Sequence, residues 1–414
     1  MTKKLIILVF LGCFFLASDA NGQLHSSKNK KNALDQTARL HAQSILIDGH
    51  NDIPTLLLDK GYRIEADLSA VCQTDLRRLQ AGGVTAQFMS VFVHTKEVST
   101  KNAFRRALDL IYTVRKSAVD NPQEVVVGTS SADIYQAKKD RKIAFLLGIE
   151  GGHALEGSLV NLHLVQALGV RYITLVHNYS NDVGDAWDDY EINHGLTPFG
   201  KDLVREMQRL GVLVDVSHAS DKTVSDVLDI AQSPVIASHS GARSITNINR
   251  NLPDDLIVRI CRTGGIVMVP FGSVFHNQLL AQKLKERDEL LEPEYEKIEK
   301  QYGADIAEKN AAYLELYKKH PLPEIPVPSI QKVIETINHI VKVGGIDHVG
   351  LGSDFDGTEM VSGLEDVSKY PEVTRLLVEA KYSRSEIQKI LGGNFLRVLK
   401  TAEKFSSTKT RNKK

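Results

Sequence analysis

The sequence predicts a single α/β domain built as a (β/α)8 barrel of the TIM type, with a helical insertion between its seventh and eighth strands. Two observations carry the prediction. Eight near-continuous apolar runs alternate with amphipathic helical stretches along the chain, and six of those runs deliver a histidine or an acid at or just past their C-terminal end. Apolar runs without alternation indicate parallel strands covered on both faces. In a closed parallel barrel the functional groups gather at the C-terminal ends of the strands, which is where these polar residues would lie.

The strand-like runs are Ser44 to His50, Val84 to Phe92, Ile143 to Glu150, Arg171 to His177, Val212 to His218, Val235 to His239, Gly265 to Pro270 and His348 to Asp354. Each is followed by a stretch with helical spacing. The Pro253-Asp254 pair after the sixth run starts a helix well, so the loop carrying Arg250 should be ordered. Between the seventh and eighth runs, residues 276–328 break the pattern. This segment is rich in Lys and Glu and reads as two helices broken near Pro293, either as a solvated face or as a lid or dimer contact over the active end. Ser383 and Glu386 form a capping-box pattern ahead of a last helix that runs toward Gly392-Gly393-Asn394. The basic tail, residues 406–414, is expected to be disordered.

The chain of 414 residues is 42% hydrophobic and 25% charged, with 51 basic and 51 acidic residues, which is ordinary globular material. Without a basic excess there is no footprint for nucleic acid. Lys3 and Lys4 precede the apolar run Leu5 to Ala17, and small residues follow, so residues 1–22 read as a signal peptide and the mature chain as periplasmic or secreted. The run is too short for the roughly 20 apolar residues of a membrane span. Cys13 within it is open to a lipid-attachment reading. Only Cys72 and Cys261 remain beyond the leader, as one bridge or as two free thiols. The domain proper is expected over residues 23–405.

His50 and Asp52 are two residues apart, so an extended backbone brings both to one side. With Glu150, His218 and His239 they make a set of imidazoles and carboxylates, donors that suit zinc better than magnesium or copper(I). Two cations a few ångströms apart repel unless an anion lies between them, and Glu150 is the natural bridge. His177 can donate to an oxyanion developing on a substrate. Asp354, beside a metal-activated water, suits proton transfer. Arg250 is either a bidentate carboxylate grip or a surface arginine paired with Asp254 or Asp255. No GxSxG, P-loop, HExxH or CxxC motif is present, which removes the usual support for serine-hydrolase or phosphoryl-transfer chemistry.

Asp48-Gly49-His50-Asn51-Asp52, Gly148-Ile149-Glu150-Gly151, Leu175-Val176-His177-Asn178, Asp215-Val216-Ser217-His218, Ser238-His239-Ser240, Arg250-Asn251-Leu252-Pro253-Asp254 and Gly352-Ser353-Asp354-Phe355-Asp356-Gly357 together resemble the membrane dipeptidase (renal dipeptidase) family of the amidohydrolase superfamily. The resemblance runs in order along essentially the whole mature chain. It implies a homodimeric dipeptidase with two zinc ions per chain, one held by His50 and Asp52, the other by His218 and His239, with Glu150 bridging. It further implies substrate contact at His177, carboxylate recognition at Arg250 and proton handling at Asp354, and a tolerance for a D-residue at the second position of the dipeptide. The alternatives are another two-metal amidohydrolase acting on a lactam, lactone or N-acyl amino acid, and a non-catalytic envelope binding protein. Unlike vertebrate members, the chain has few cysteines and no anchor signal, and Val269-Pro270-Phe271-Gly272-Ser273 does not clearly supply an aromatic hydroxyl to the pocket.

Overall fold

A computed structural model of the chain describes residues 34–94, 101–188, 192–302 and 306–411. The leader, residues 1–22, with Cys13, lies outside them. The chain divides between Gln43 and Ser44. Residues 34–43 are helical, and everything below concerns the unit that begins at Ser44.

Nine strands are described: β1 (Ile47–Asp48), β2 (Ala86–Phe92), β3 (Val125–Val127), β4 (Ile143–Glu150), β5 (Val170–Thr174), β6 (Leu213–Asp215), β7 (Val235–Ala237), β8 (Ile266–Val269) and β9 (Val349–Leu351). Their order is β2-β1-β9-β8-β7-β6-β5-β4-β3, and a further β2–β4 pairing closes the ring. Every pairing is parallel. The eight barrel strands are the eight apolar runs of the sequence: β4 keeps the expected bounds, β5 starts one residue earlier and ends sooner, and the others are shorter than their runs. β3 was not expected. Val125 to Val127 pair only with Ile143 to Phe145, on the stretch of β4 that precedes its pairing with β5, so β3 lies outside the ring. A run of three residues is too short to stand out as a barrel strand.

The barrel strands are buried on both faces, as their lack of alternation requires. Phe88, Leu146, Tyr172, Ile236 and Met268 join Phe395 and Leu399 of the last helix in one cluster. Asn394 at the start of that helix donates from Nδ2 to the carbonyls of Ile346 and Val349, at 2.7 and 2.8 Å. The helix therefore packs at the entry to β9, opposite the strand ends that carry the polar residues. The Ser383–Glu386 capping box is formed. Helix Asn394–Arg411 continues through 406–411, part of the segment expected to be disordered, because nothing in Ser-Ser-Thr-Lys-Thr-Arg breaks a helix. Residues 412–414 lie outside the described residues.

The insertion also departs from expectation. Helix Gln278–Tyr302 runs through Pro293 instead of ending there, and a second helix, Ile306–Lys319, follows. Proline in a helix interior costs about 3 kcal/mol, so its neighbours must hold the helix against it. Cys72 and Cys261 are buried free thiols. No helix among the described residues is long and apolar enough to cross a membrane.

Gly148 in β4 shows how tightly the barrel is filled. A Cβ there would lie 2.0 Å from the ring of Tyr172. Gly148→Ala is therefore expected to destabilise the protein by about 1–3 kcal/mol through overpacking. Denaturant unfolding checks this, and an unchanged midpoint would show that the ring can yield.

Candidate metal centre and substrate cleft

Every polar residue singled out in the sequence sits at the C-terminal end of the barrel. Glu150 is the last residue of β4, and His50, Asp52, His177, His218, His239 and Asp354 each follow within four residues of the end of β1, β5, β6, β7 or β9. His218 and Asp354 take left-handed backbone conformations, φ 65° and 66°. Such geometry is uncommon for residues other than glycine and is usually retained where a site imposes it.

Three groups of donors lie close enough to share an ion: His50, Asp52 and Glu150; His218, His239 and Glu150; and His50, His239 and Asp354, the ligand atoms of each lying within 4.8 Å of one another. Glu150 belongs to two of them because its oxygens diverge. Oε2 is 3.3 Å from His50 Nε2, while Oε1 is 3.1 Å from His218 Nε2 and 3.5 Å from His239 Nε2. Asp52 Oδ2 lies 3.4 Å from His50 Nε2, and Asp354 Oδ1 4.0 Å from it.

Hydrogen bonding fixes the tautomer of each ring. Tyr172 commits its hydroxyl proton to the Gly49 carbonyl (3.1 Å), so it accepts from His50 Nδ1 (2.9 Å). Ser238 donates to Asp215 Oδ2 (2.6 Å) and accepts from His239 Nδ1 (2.8 Å). Asn178 Oδ1 accepts from His218 Nδ1 at 3.0 Å. Each ring donates from Nδ1, so all three Nε2 atoms face inward. Those of His218 and His239 confront each other at 2.9 Å, and His50 Nε2 and Asp52 Oδ1 are buried with no hydrogen-bond partner among the described residues. Inward lone pairs at such separations repel, and a cation between them turns the repulsion into ligation. The donor set fits two divalent ions, zinc best.

The electrostatics agree. Burial, reinforced by the Arg250 charge, pushes His218 and His239 well below the usual imidazole range, leaving them neutral as ligands must be. Burial opposes a proton on His50, but Tyr172, Glu150 and Asp52 together hold it well above the usual range, where a cation would replace that proton. Burial alone would raise Glu150, yet His50, His218 and His239 keep it well below the ordinary carboxylate range. Asp354 goes the other way, raised well above that range by burial and then by Asp52.

The centre opens into a cleft of about 850 Å³ lined by Asp52, Glu150, His177, His218, Arg250 and Asp354. His177 packs between Phe92 and His218, with ring centroids 4.7 and 4.3 Å away, and is 22% exposed on the cleft side. Arg250 is buried, not a surface residue, and Asp254 instead meets Ser244 and His339. Its Nη1 donates to Ser240 Oγ (3.1 Å), its guanidinium lies over Phe275, and Nη2 is buried with no partner among the described residues. An unpaired buried cationic N–H is costly and is relieved by an anion. Burial lowers Arg250 to about 10, which still leaves it charged at neutral pH. The outer wall includes Gln278, Gln282, Lys285 and Asp288 of the insertion, so one face of that helix borders the cleft while Lys297 and Lys300 make exposed ion pairs elsewhere along it.

Sequence reasoning missed Tyr172, Ser238 with Asp215, Asn178 and Trp187. Asn178 and Ser238 adjoin histidines that were singled out, which is a usable signal. Tyr172, an aromatic residue inside a strand, gives none.

The sequence profile of the family described as membrane dipeptidase (peptidase family M19) matches residues 34–413. A protein of Schizosaccharomyces pombe described as an uncharacterized dipeptidase is 36% identical over 375 residues, 86% of this chain and 81% of its own. Among solved structures, the probable dipeptidase PvdM of Pseudomonas aeruginosa superposes with a TM-score of 0.77 at 25% identity, over 91% of this chain and 99% of that one. A metallopeptidase of Rhodobacter sphaeroides, liganded with a phosphinate mimic of L-Ala-D-Ala, does so with a TM-score of 0.71 at 22% identity, over 87% and 100%.

Proposed function

The chain belongs to the membrane dipeptidase family, peptidase family M19, and from that premise we propose that it is a dizinc dipeptidase whose substrates include dipeptides ending in a D-residue. The observation that carries this reading is the convergence of three Nε2 atoms on a carboxylate with divergent oxygens, every Nδ1 being engaged elsewhere. His50, Asp52 and Glu150 would hold one ion, and His218, His239 and Glu150 the other. Bound there, two zinc ions would lower the pKa of a water toward about 7 and polarise the scissile carbonyl.

The remaining work falls to the side chains of the cleft. Arg250 Nη2 binds the terminal carboxylate, and with the free amine held near the metals this limits the substrate to free-ended dipeptides. His177 donates to the scissile carbonyl oxygen as negative charge develops there. Asp354 Oδ1 takes the proton of the attacking water and returns it to the leaving amine, a role supported by its place on the cleft wall, 4.0 Å from His50 Nε2. The tolerance for a D-residue draws support from the L-Ala-D-Ala mimic held by the Rhodobacter sphaeroides relative.

Arg250→Lys keeps the charge but loses the second parallel hydrogen bond, so kcat/KM on dipeptides is expected to fall by about tenfold or more. Amidated dipeptides should already be poor substrates of the parent enzyme. Equal cleavage of amidated and free dipeptides would give Arg250 another role. Export through residues 1–22 is proposed with this reading, on Lys3, Lys4 and the apolar run that follows, and homodimerisation on the family resemblance. N-terminal sequencing of the exported protein and light scattering test the two.

A further inference from the structure

The acceptors that fix the three histidines are not equivalent. Tyr172 and Ser238 are fully buried, and each passes its own proton inward, to the Gly49 carbonyl and to Asp215. Asn178 lies on the cleft wall. Its Oδ1 accepts twice, from His218 Nδ1 (3.0 Å) and from the indole Nε1 of Trp187 (3.1 Å). Trp187 lines the same cleft and donates its backbone N–H to the His218 carbonyl at 2.9 Å. Next to it, Ala186 bridges to Ala219. One stretch of loop thus grips His218 from both ring and backbone.

We propose that Asn178 and Trp187 are positioning residues for His218, so that of the two metal positions only the one held by His218, His239 and Glu150 depends on the loop that lines the substrate cleft. The indole N–H pins the amide so that Oδ1 faces the ring, and the amide in turn keeps the proton on Nδ1 and the Nε2 lone pair directed inward. Without the acceptor, the neutral ring is free to rotate or to carry its proton on Nε2, and either change removes the lone pair from the centre. Among the described residues, His50 hydrogen-bonds through its ring to Tyr172, and neither it nor Asp52 hydrogen-bonds to Asn178 or Trp187, so their position should not respond. The inference rests on the two-metal reading above.

The test is a zinc titration of the metal-stripped full chain against a chromophoric competing chelator, with the emission of Trp187, the only tryptophan in the sequence, followed in the variants that retain it. The parent is expected to show two binding events, with the emission change belonging to one of them. Asn178→Leu should weaken that event by about 10- to 100-fold and leave the other unchanged, the range associated with loss of a partner that orients a ligand. Asn178→Asp keeps an acceptor oxygen for the His218 and Trp187 N–H groups and should bind both ions like the parent. Trp187→Phe keeps the ring in the wall but loses the N–H, and should weaken the same event by a smaller factor. Two unchanged events in Asn178→Leu, equal weakening of both, or failure of Asn178→Asp to restore the affected event would each overturn the proposal. A parent that binds fewer than two ions would overturn the two-metal reading and this proposal together, whereas two ions in the parent with unchanged variants would overturn this proposal alone.

Discussion

Glutamine in place of Glu150 is expected to abolish dipeptide hydrolysis and to weaken both metal positions at once. The substitution is nearly isosteric, so the barrel should survive it. What changes is the one group that faces both sides of the centre, with Oε2 toward His50 and Oε1 toward His218 and His239. An amide offers one oxygen donor in place of two and no charge to screen one cation from the other. Losing a group that merely orients a ligand costs about 10- to 100-fold in affinity, and losing the shared ligand should exceed that at each position. Metal content after dialysis and turnover, taken on the same sample, check the prediction. A variant that keeps both ions would show that Glu150 does not bridge them.

Asp354→Asn has the next largest expected effect, with the opposite pattern. Turnover should fall by about a hundredfold or more, the range for a lost general acid or base, while both ions stay bound. The geometry leaves a clear competing outcome, because Asp354 also forms a group with His50 and His239 that could hold an ion. Its oxygen is 4.0 Å from His50 Nε2, farther than those of Asp52 and Glu150, which favours the proton-handling role. Loss of one ion together with activity would make Asp354 a ligand. Near-normal turnover would make it structural.

Much of this centre was legible in the sequence because barrel geometry turns position along the chain into position in space. Residues at the ends of parallel strands meet around one mouth, so His50, Glu150, His218 and His239 could be grouped without any contact being known. Boundaries were less legible. His218 and Asp354 follow their strands by three residues, in left-handed turns that an apolar run does not announce. The helix continues through Pro293 because proline marks a local preference, which the surrounding helix overrides. Arg250 remained ambiguous between surface and cleft, since burial is decided by the fold and not by its neighbours in sequence. The partners of the histidines were least visible of all: Tyr172 meets His50 across 122 residues of chain.

Whether two metal positions carry dipeptide hydrolysis is decided by restoring zinc stepwise to rigorously stripped protein and measuring both bound metal and the rate on a panel of free dipeptides. Hydrolysis should be absent without metal, appear as zinc is added and reach its plateau at two ions per chain. Full hydrolysis by the metal-free protein would show that the reaction needs neither metal position.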